Sequence, residues 1–264
     1  MAITATYDGV LSRIRLAATL LGASATYAKF ERTVDGIVYT TLRGGSAAIV
    51  TSQNAAVDDY EWAPGVATTY RVTSYNVSNV QQAQFTTAIT QDLTSVWLKV
   101  PAAPFLNQPV TVADRSGVTR KSRSGLFDIV GRSTPVMVGD VASSIAYTLT
   151  LQTDTPAAES NLDYVFASGE IVFLQLPSTV QYMQGGYFAV GDTSRGPVNM
   201  VSTLRRWNVP LTGVAAPGPE VIGSAYTWTS VVADFATWTA EIAANATWAD
   251  LLARTGTPSD VIVP

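Results

Sequence analysis

Pro101, Pro104 and Pro109 fall within nine residues of one another. Proline fixes φ and removes a backbone donor, so neither a helix interior nor a central strand can run through them. The stretch from Ser95 to Pro109 opens as a strand-like run, Val96 to Val100, and carries Trp97, Leu98, Phe105 and Leu106. It is too apolar for a free linker. It predicts a stiff joint over 96–109 between two β-rich halves. Trp97, Leu98 and Phe105 are its candidate interface or interdomain residues, with Trp97 and Leu98 expected to hold the angle between domains.

Upstream, short runs of strand character alternate with turn signals over about 90 residues, about seven strands in all. Leu11 to Ala17 places Arg13 and Arg15 opposite Ile14 and Leu16, with Leu11 out of phase. Tyr27 to Arg32, the Asp35-Gly36 turn and Ile37 to Leu42 read as strand, turn, strand. Ala48 to Val50, Ala56 to Trp62, Thr69 to Val77 and Phe85 to Ile89 follow. Sheets that are apolar on one side must cover each other, so a two-sheet sandwich over 1–95 is the expected result. Tyr60-Glu61-Trp62-Ala63-Pro64-Gly65 followed by Thr69-Tyr70-Arg71-Val72 resembles a fibronectin type III domain, and an immunoglobulin-like variant fits the same spacing. The resemblance implies a spacer or binding module without catalytic residues.

The second half, 110–215, reads as another β-rich, sandwich-like domain. Val110 to Ala113, Leu126 to Val130, Val136 to Val138, Ile145 to Leu151, Glu170 to Leu176 and Tyr187 to Val190 are strand candidates, as is Val198 to Leu211, a long strand or strand pair. Ile145 to Leu151 is a clean two-residue alternation. Thr155 and Pro156 predict the N-cap and first residue of a helix over about 156–167, with Leu162, Val165 and Phe166 on its apolar stripe and Gly169 as its stop. Arg115, Arg120, Lys121 and Arg123 form a basic patch, open to two readings: contact with phosphate or an acidic surface, or a solvated hairpin. Asp192 to Gly196 is expected to be a polar turn.

Composition excludes several chemistries. With no His and no Cys, the usual zinc and copper ligands, Ser-His and Cys-His nucleophile pairs and disulfides are absent. Carboxylates and backbone oxygens remain for a hard cation, but Asp58, Asp59 and Glu61 lack calcium-loop spacing, and nothing positions a glycosidase pair. No metal, cofactor or catalytic residue is assigned, and the chain is expected not to be an enzyme. A net charge of −4 argues against nucleic-acid binding, and no uncharged apolar run is long enough to span a membrane. Met1 to Thr6 has no secretory character. With 14% charged against 47% hydrophobic residues, part of the apolar surface is expected to be hidden in an assembly.

In 216–264 the pairs Thr227-Trp228, Thr237-Trp238 and Thr247-Trp248 recur at ten-residue steps. Each Thr can cap a helical turn, which predicts short helices. Trp228, Trp238 and Trp248 are candidate interface residues, or alternatively a stacked row for sugar or proline-rich chains.

Phe30-Glu31-Arg32 with Asp35-Gly36, Arg43-Gly44-Gly45, Asp59 to Gly65, Val96-Trp97-Leu98-Lys99 with Pro101 and Pro104, Gly131-Arg132 with Pro135-Val136, Phe173-Leu174-Gln175 and the Thr-Trp tail make the whole chain resemble minor tail proteins of long-tailed, noncontractile phages of actinobacteria. That resemblance implies a baseplate or tail-tip subunit, made in the host cytoplasm and carried in the virion tail. The expected neighbours are tube, hub and other tail-tip proteins, in a homo-oligomer of three-fold or six-fold symmetry. A carbohydrate- or receptor-binding module acting on a host surface glycan is the alternative, and a cell-wall hydrolase the third reading.

Overall fold

A computed structural model of the chain describes residues 3–199 and 202–218, with Thr237, Thr239, Ala240 and Ile242. The fold is mainly β, with several largely antiparallel sheets and a closed 6-stranded barrel. It divides into two compact units. Among the described residues the first unit holds 3–109, 173–185 and 217–218, and the second holds 110–172, 186–199 and 202–216.

The strands of the first unit are β1 (Ile3–Asp8), β2 (Arg13–Ala18), β3 (Tyr27–Thr33), β4 (Thr40–Thr41), β5 (Ala48–Ile49), β6 (Ala55–Asp59), β7 (Ala67–Tyr75), β8 (Gln81–Thr90) and β9 (Val96–Lys99). One sheet runs β1-β2-β6 and the other β4-β3-β7-β8, with β5 attached to β3. Ile3, Ile14, Leu16 and Val57 from the first sheet share one core with Ala28, Phe30, Tyr70 and Val72 from the second. Each of these strands turns alternate residues inward, so the two half-apolar faces close on each other. Ser12, at φ 48°, adopts left-handed backbone immediately before β2. This break puts Leu11 out of phase with Ile14 and Leu16.

Two expectations for this unit change. The run from Ile37 to Leu42 yields only β4, because Asp35 takes over the turn: its Oδ1 accepts from Ile37 N–H at 2.8 Å, Val38 N–H at 2.9 Å and Thr33 Oγ1 at 2.8 Å. Side-chain acceptance of this kind competes with ladder pairing, and Ile37 and Val38 remain exposed. The start of the chain also supplies β1, paired with β2 from Ile3↔Ala18 to Asp8↔Arg13, which alternation had not revealed.

From the joint onward the elements are β10 (Gln108–Arg115), β11 (Thr119–Arg120), β12 (Gly125–Phe127), β13 (Val136–Val138), β14 (Ile145–Thr153), α1 (Pro156–Ala167), β15 (Val172–Gln175), β16 (Gly186–Val190), β17 (Ser194–Pro197) and β18 (Arg205–Gly213). In the second unit β14 pairs with β10, β11 and β18, and β18 with β16 and β17. The register sets Tyr147 opposite Leu211, Leu149 opposite Val209 and Leu151 opposite Trp207. All six are buried. Thr155 caps α1 by accepting from Ala158 N–H at 3.2 Å, Pro156 is its first residue, and buried Leu162 and Val165 form its inner side. Val198 to Leu211 is not one long strand, since β18 starts at Arg205 and, ahead of it, Asn199 Oδ1 and Ser202 Oγ accept the Ser202 and Leu204 N–H groups. Of Asp192 to Gly196, Ser194 onward belongs to β17 rather than to a turn.

Candidate functional site

The joint residues lie in the first unit. Trp97 is 5% exposed and belongs to the same core as Ile14, Leu16 and Trp62. Leu98 faces Leu174 and Trp97 faces Gln175 in the ladder that residues 173–175 add to β9. Gln175 Nε2 donates to the buried Trp62 carbonyl at 2.5 Å. The prolines shape a single 3-10 turn, Pro104–Leu106, and Asn107 Oδ1 accepts from Val100 N–H at 2.8 Å. Phe105 sits on that turn and is 38% exposed.

Several cations of the first unit are tied to its acids. Arg13 bonds Asp8 at 3.0 Å and Asp58 at 2.5 Å. Arg32 grips both oxygens of Asp59, at 2.5 and 2.7 Å, and Tyr70 Oη donates to the same carboxylate at 2.9 Å. Arg43 bonds Glu61 at 3.0 Å, and Glu31 takes Arg71 at 2.6 Å and Lys29 at 2.8 Å. Burial disfavours the Arg32 charge, but Asp59 outweighs it and holds the guanidinium well above its usual range. Burial, reinforced by Asp59, pushes the Tyr70 hydroxyl far up. Acids that face cations in this way neutralise charge inside the unit. Among the described residues no group of three metal-ligating side chains forms.

Lys99 differs from these cations, since its amine bonds no carboxylate. Its Nζ donates to the Ser12 carbonyl at 2.5 Å and the Tyr60 carbonyl at 2.7 Å. The rings of Trp62 and Trp97 lie 5.9 and 5.8 Å away. Burial pushes this amine down to about 7, against the pull of Asp59 and Glu61. An amine with that pKa is a usable nucleophile in principle, but Lys99 is 1% exposed and enclosed in the core.

The second unit presents the opposite situation. β12 and β13 form a two-stranded sheet of their own, with Leu126 opposite Met137 and Phe127 opposite Val136. Successive residues of a strand point to opposite faces, so one face carries Leu126 and Met137 and the other Phe127, Val136 and Val138. Leu126 is 68%, Phe127 58%, Met137 62% and Val138 60% exposed. Apolar side chains are thus exposed on both faces of the hairpin. No family model matches the chain, and no curated protein is similar to it.

The basic residues lead into this hairpin. Arg115 lies over the Tyr147 ring at 6.0 Å, Arg120 and Lys121 are exposed at and after β11, and Arg123 meets Asp140 at 3.9 Å with both side chains largely in solvent. The patch is thus the solvated approach to an apolar tip. A run such as Gly-Leu-Phe followed after eight residues by Val-Met-Val carries this signal in the sequence, but the same letters describe a buried strand pair. Trp228, Trp238 and Trp248 lie outside the described residues. Of that repeat, Thr237 Oγ1 accepts from Ala240 N–H at 3.2 Å, as a helix cap does, and Thr239, Ala240 and Ile242 are helical.

Proposed function

We propose that the chain is a structural subunit of a phage tail tip or baseplate, whose chemistry is shape and interface rather than catalysis. The observation that carries this reading is the β12–β13 hairpin, apolar on both faces and held in water. Such a surface is costly in a lone molecule and favourable once covered by a neighbour. The charge network of the first unit is consistent with a rigid part, because each ion pair there closes on the unit itself. The sheet orders β1-β2-β6 and β4-β3-β7-β8 support a fibronectin type III-like sandwich for that unit, acting as a spacer. The tail-tip assignment itself rests on the resemblance to minor tail proteins in motifs such as Asp59 to Gly65 and Val96 to Lys99.

The test is proteomic and spatial. Purified particles carrying this protein are split into heads and tails, peptides are quantified, and an antibody to the chain is imaged by electron microscopy. The proposal expects enrichment in the tail fraction and label at the tail end. Absence of the chain from purified tails overturns it.

A further inference from the structure

We infer that the β12–β13 hairpin of one copy docks on a second copy of this chain, a proposal that rests on the assembly reading and names its partner. The hairpin has two apolar faces and two strands, each with one open edge. Its own unit can cover one face of such a ribbon at most, and a lone two-stranded hairpin is marginally stable in water. Burial on both sides requires insertion into a surface that another molecule provides. Gly125 favours this shape: a Cβ there would stand 2.9 Å from the Phe127 ring, so glycine lets the ring lie along the ribbon.

Charge selects the partner. Residues 115–143 carry Arg115, Arg120, Lys121, Arg123 and Arg132 against Asp128 and Asp140, a net +3, whereas the whole chain is −4, leaving −7 on all other residues. In the second unit, Asp154, Asp163, Glu170 and Asp192 are exposed. An apolar ribbon with a basic approach, Arg115 to Arg123, therefore finds its electrostatic complement on another copy of the same chain. Because the hairpin meets a different surface, the contact is heterologous, and repetition closes a ring or extends a stack.

The experiment is sedimentation velocity on the purified full chain over a concentration series in low and high salt. Three variants accompany it: Leu126→Asp with Phe127→Asp, the charge reversal Arg120→Glu with Lys121→Glu and Arg123→Glu, and Val77→Asp at an exposed apolar site of the first unit. The expected results are association that rises with concentration and weakens with salt, loss of it in the hairpin variant, about tenfold weaker association in the charge reversal, and wild-type behaviour for Val77→Asp. Should the aspartates perturb folding, Leu126→Ser with Met137→Ser gives the same readout at an unchanged melting temperature. A wild type that stays monomeric throughout, or a folded hairpin variant that associates as wild type does, overturns the proposal. Neither result bears on recovery of the chain from tails, so the docking and the tail-tip reading fail separately.

Discussion

Lys99 Nζ donates to the backbone carbonyl of Ser12 at 2.5 Å, tying β9 to the residue that precedes β2. The amine stands at about 7 in the folded protein because burial disfavours its charge, against an ordinary 10.5. Between these values the unfolded chain binds the extra proton, so stability rises with pH across that window and is lowest below it. One proton sets the slope at about 1.4 kcal/mol per pH unit at most. Urea midpoints are expected to climb from pH 7 to about 9.5, and Lys99→Met is expected to remove most of the climb. Tyr60 and Tyr70, both raised by burial, reverse the trend above their ordinary value of 10. An equal slope in wild type and Lys99→Met contradicts this account.

Asp59 is the shared anion of Arg32 and Tyr70. Asp59→Asn leaves a cation whose main counter-charge is gone, at a cost of about 3–5 kcal/mol. Tyr70→Phe removes one hydrogen bond to a charged group, costing about 1.5–3 kcal/mol. Their effects are expected to be non-additive in a double-mutant cycle read by chemical denaturation, because both act on one carboxylate. Additive losses would show that Tyr70 and Asp59 are independent.

Trp97→Ala is expected to destabilise the first unit by about 3–5 kcal/mol, since it opens a cavity in the core that also holds Ile14, Leu16 and Trp62. Phe105→Ala, at a position 38% exposed, is expected to cost under about 1 kcal/mol. Thermal unfolding of the two variants distinguishes them. A loss confined to assembly, with normal melting of Trp97→Ala, would return Trp97 to the interdomain role expected from the sequence.

Much of this architecture was legible wherever alternation dominated. Ile145 to Leu151 forms β14, and Tyr70 and Val72 point into the core of the sandwich, because a half-buried strand writes its two faces into its letters. Thr155, Pro156 and Gly169 bracket α1 for an equally local reason, the unpaired groups at helix ends. Long-range pairing was hidden. Arg13 and Arg15 both read as outward residues, yet Arg13 is buried by its bonds to Asp8 and Asp58 while Arg15 stays exposed. Val96 to Lys99 read as a strand, but its partners at 173–175 are some 75 residues away and no periodicity announces them. The exposed hairpin was hidden for the converse reason: Leu126, Phe127 and Val136 to Val138 have the composition of a core and the position of a surface.

Asp35 provides an acid-side test. Its carboxylate accepts from the Ile37 and Val38 N–H groups and the Thr33 hydroxyl, which together hold it down to about 2. A folded pKa below the unfolded one gives a contribution present above about pH 4 and lost as pH falls through about 2. The Ile37 and Val38 amides are expected to remain protected from hydrogen exchange down to about pH 3 in the wild type and to exchange freely in Asp35→Ala at every pH. Equal exchange in the two proteins would show that the turn is held by something other than this carboxylate.

Thr155 carries the last prediction. Its Oγ1 accepts from Ala158 N–H at 3.2 Å, and Pro156 and Glu159 complete a first turn suited to the positive end of the helix. Removing that acceptor frees one donor, so Thr155→Ala is expected to cost about 1 kcal/mol while Thr155→Ser, which keeps a hydroxyl acceptor, is expected to leave stability unchanged. The helix also carries Phe166, whose ring centroid lies 5.6 Å from that of Trp207 on β18. Fraying of α1 therefore disturbs the environment of Trp207, and the loss is expected to register in tryptophan fluorescence at the same denaturant concentration as in circular dichroism. A fluorescence transition unmoved in Thr155→Ala would mean that Trp207 is held without the helix.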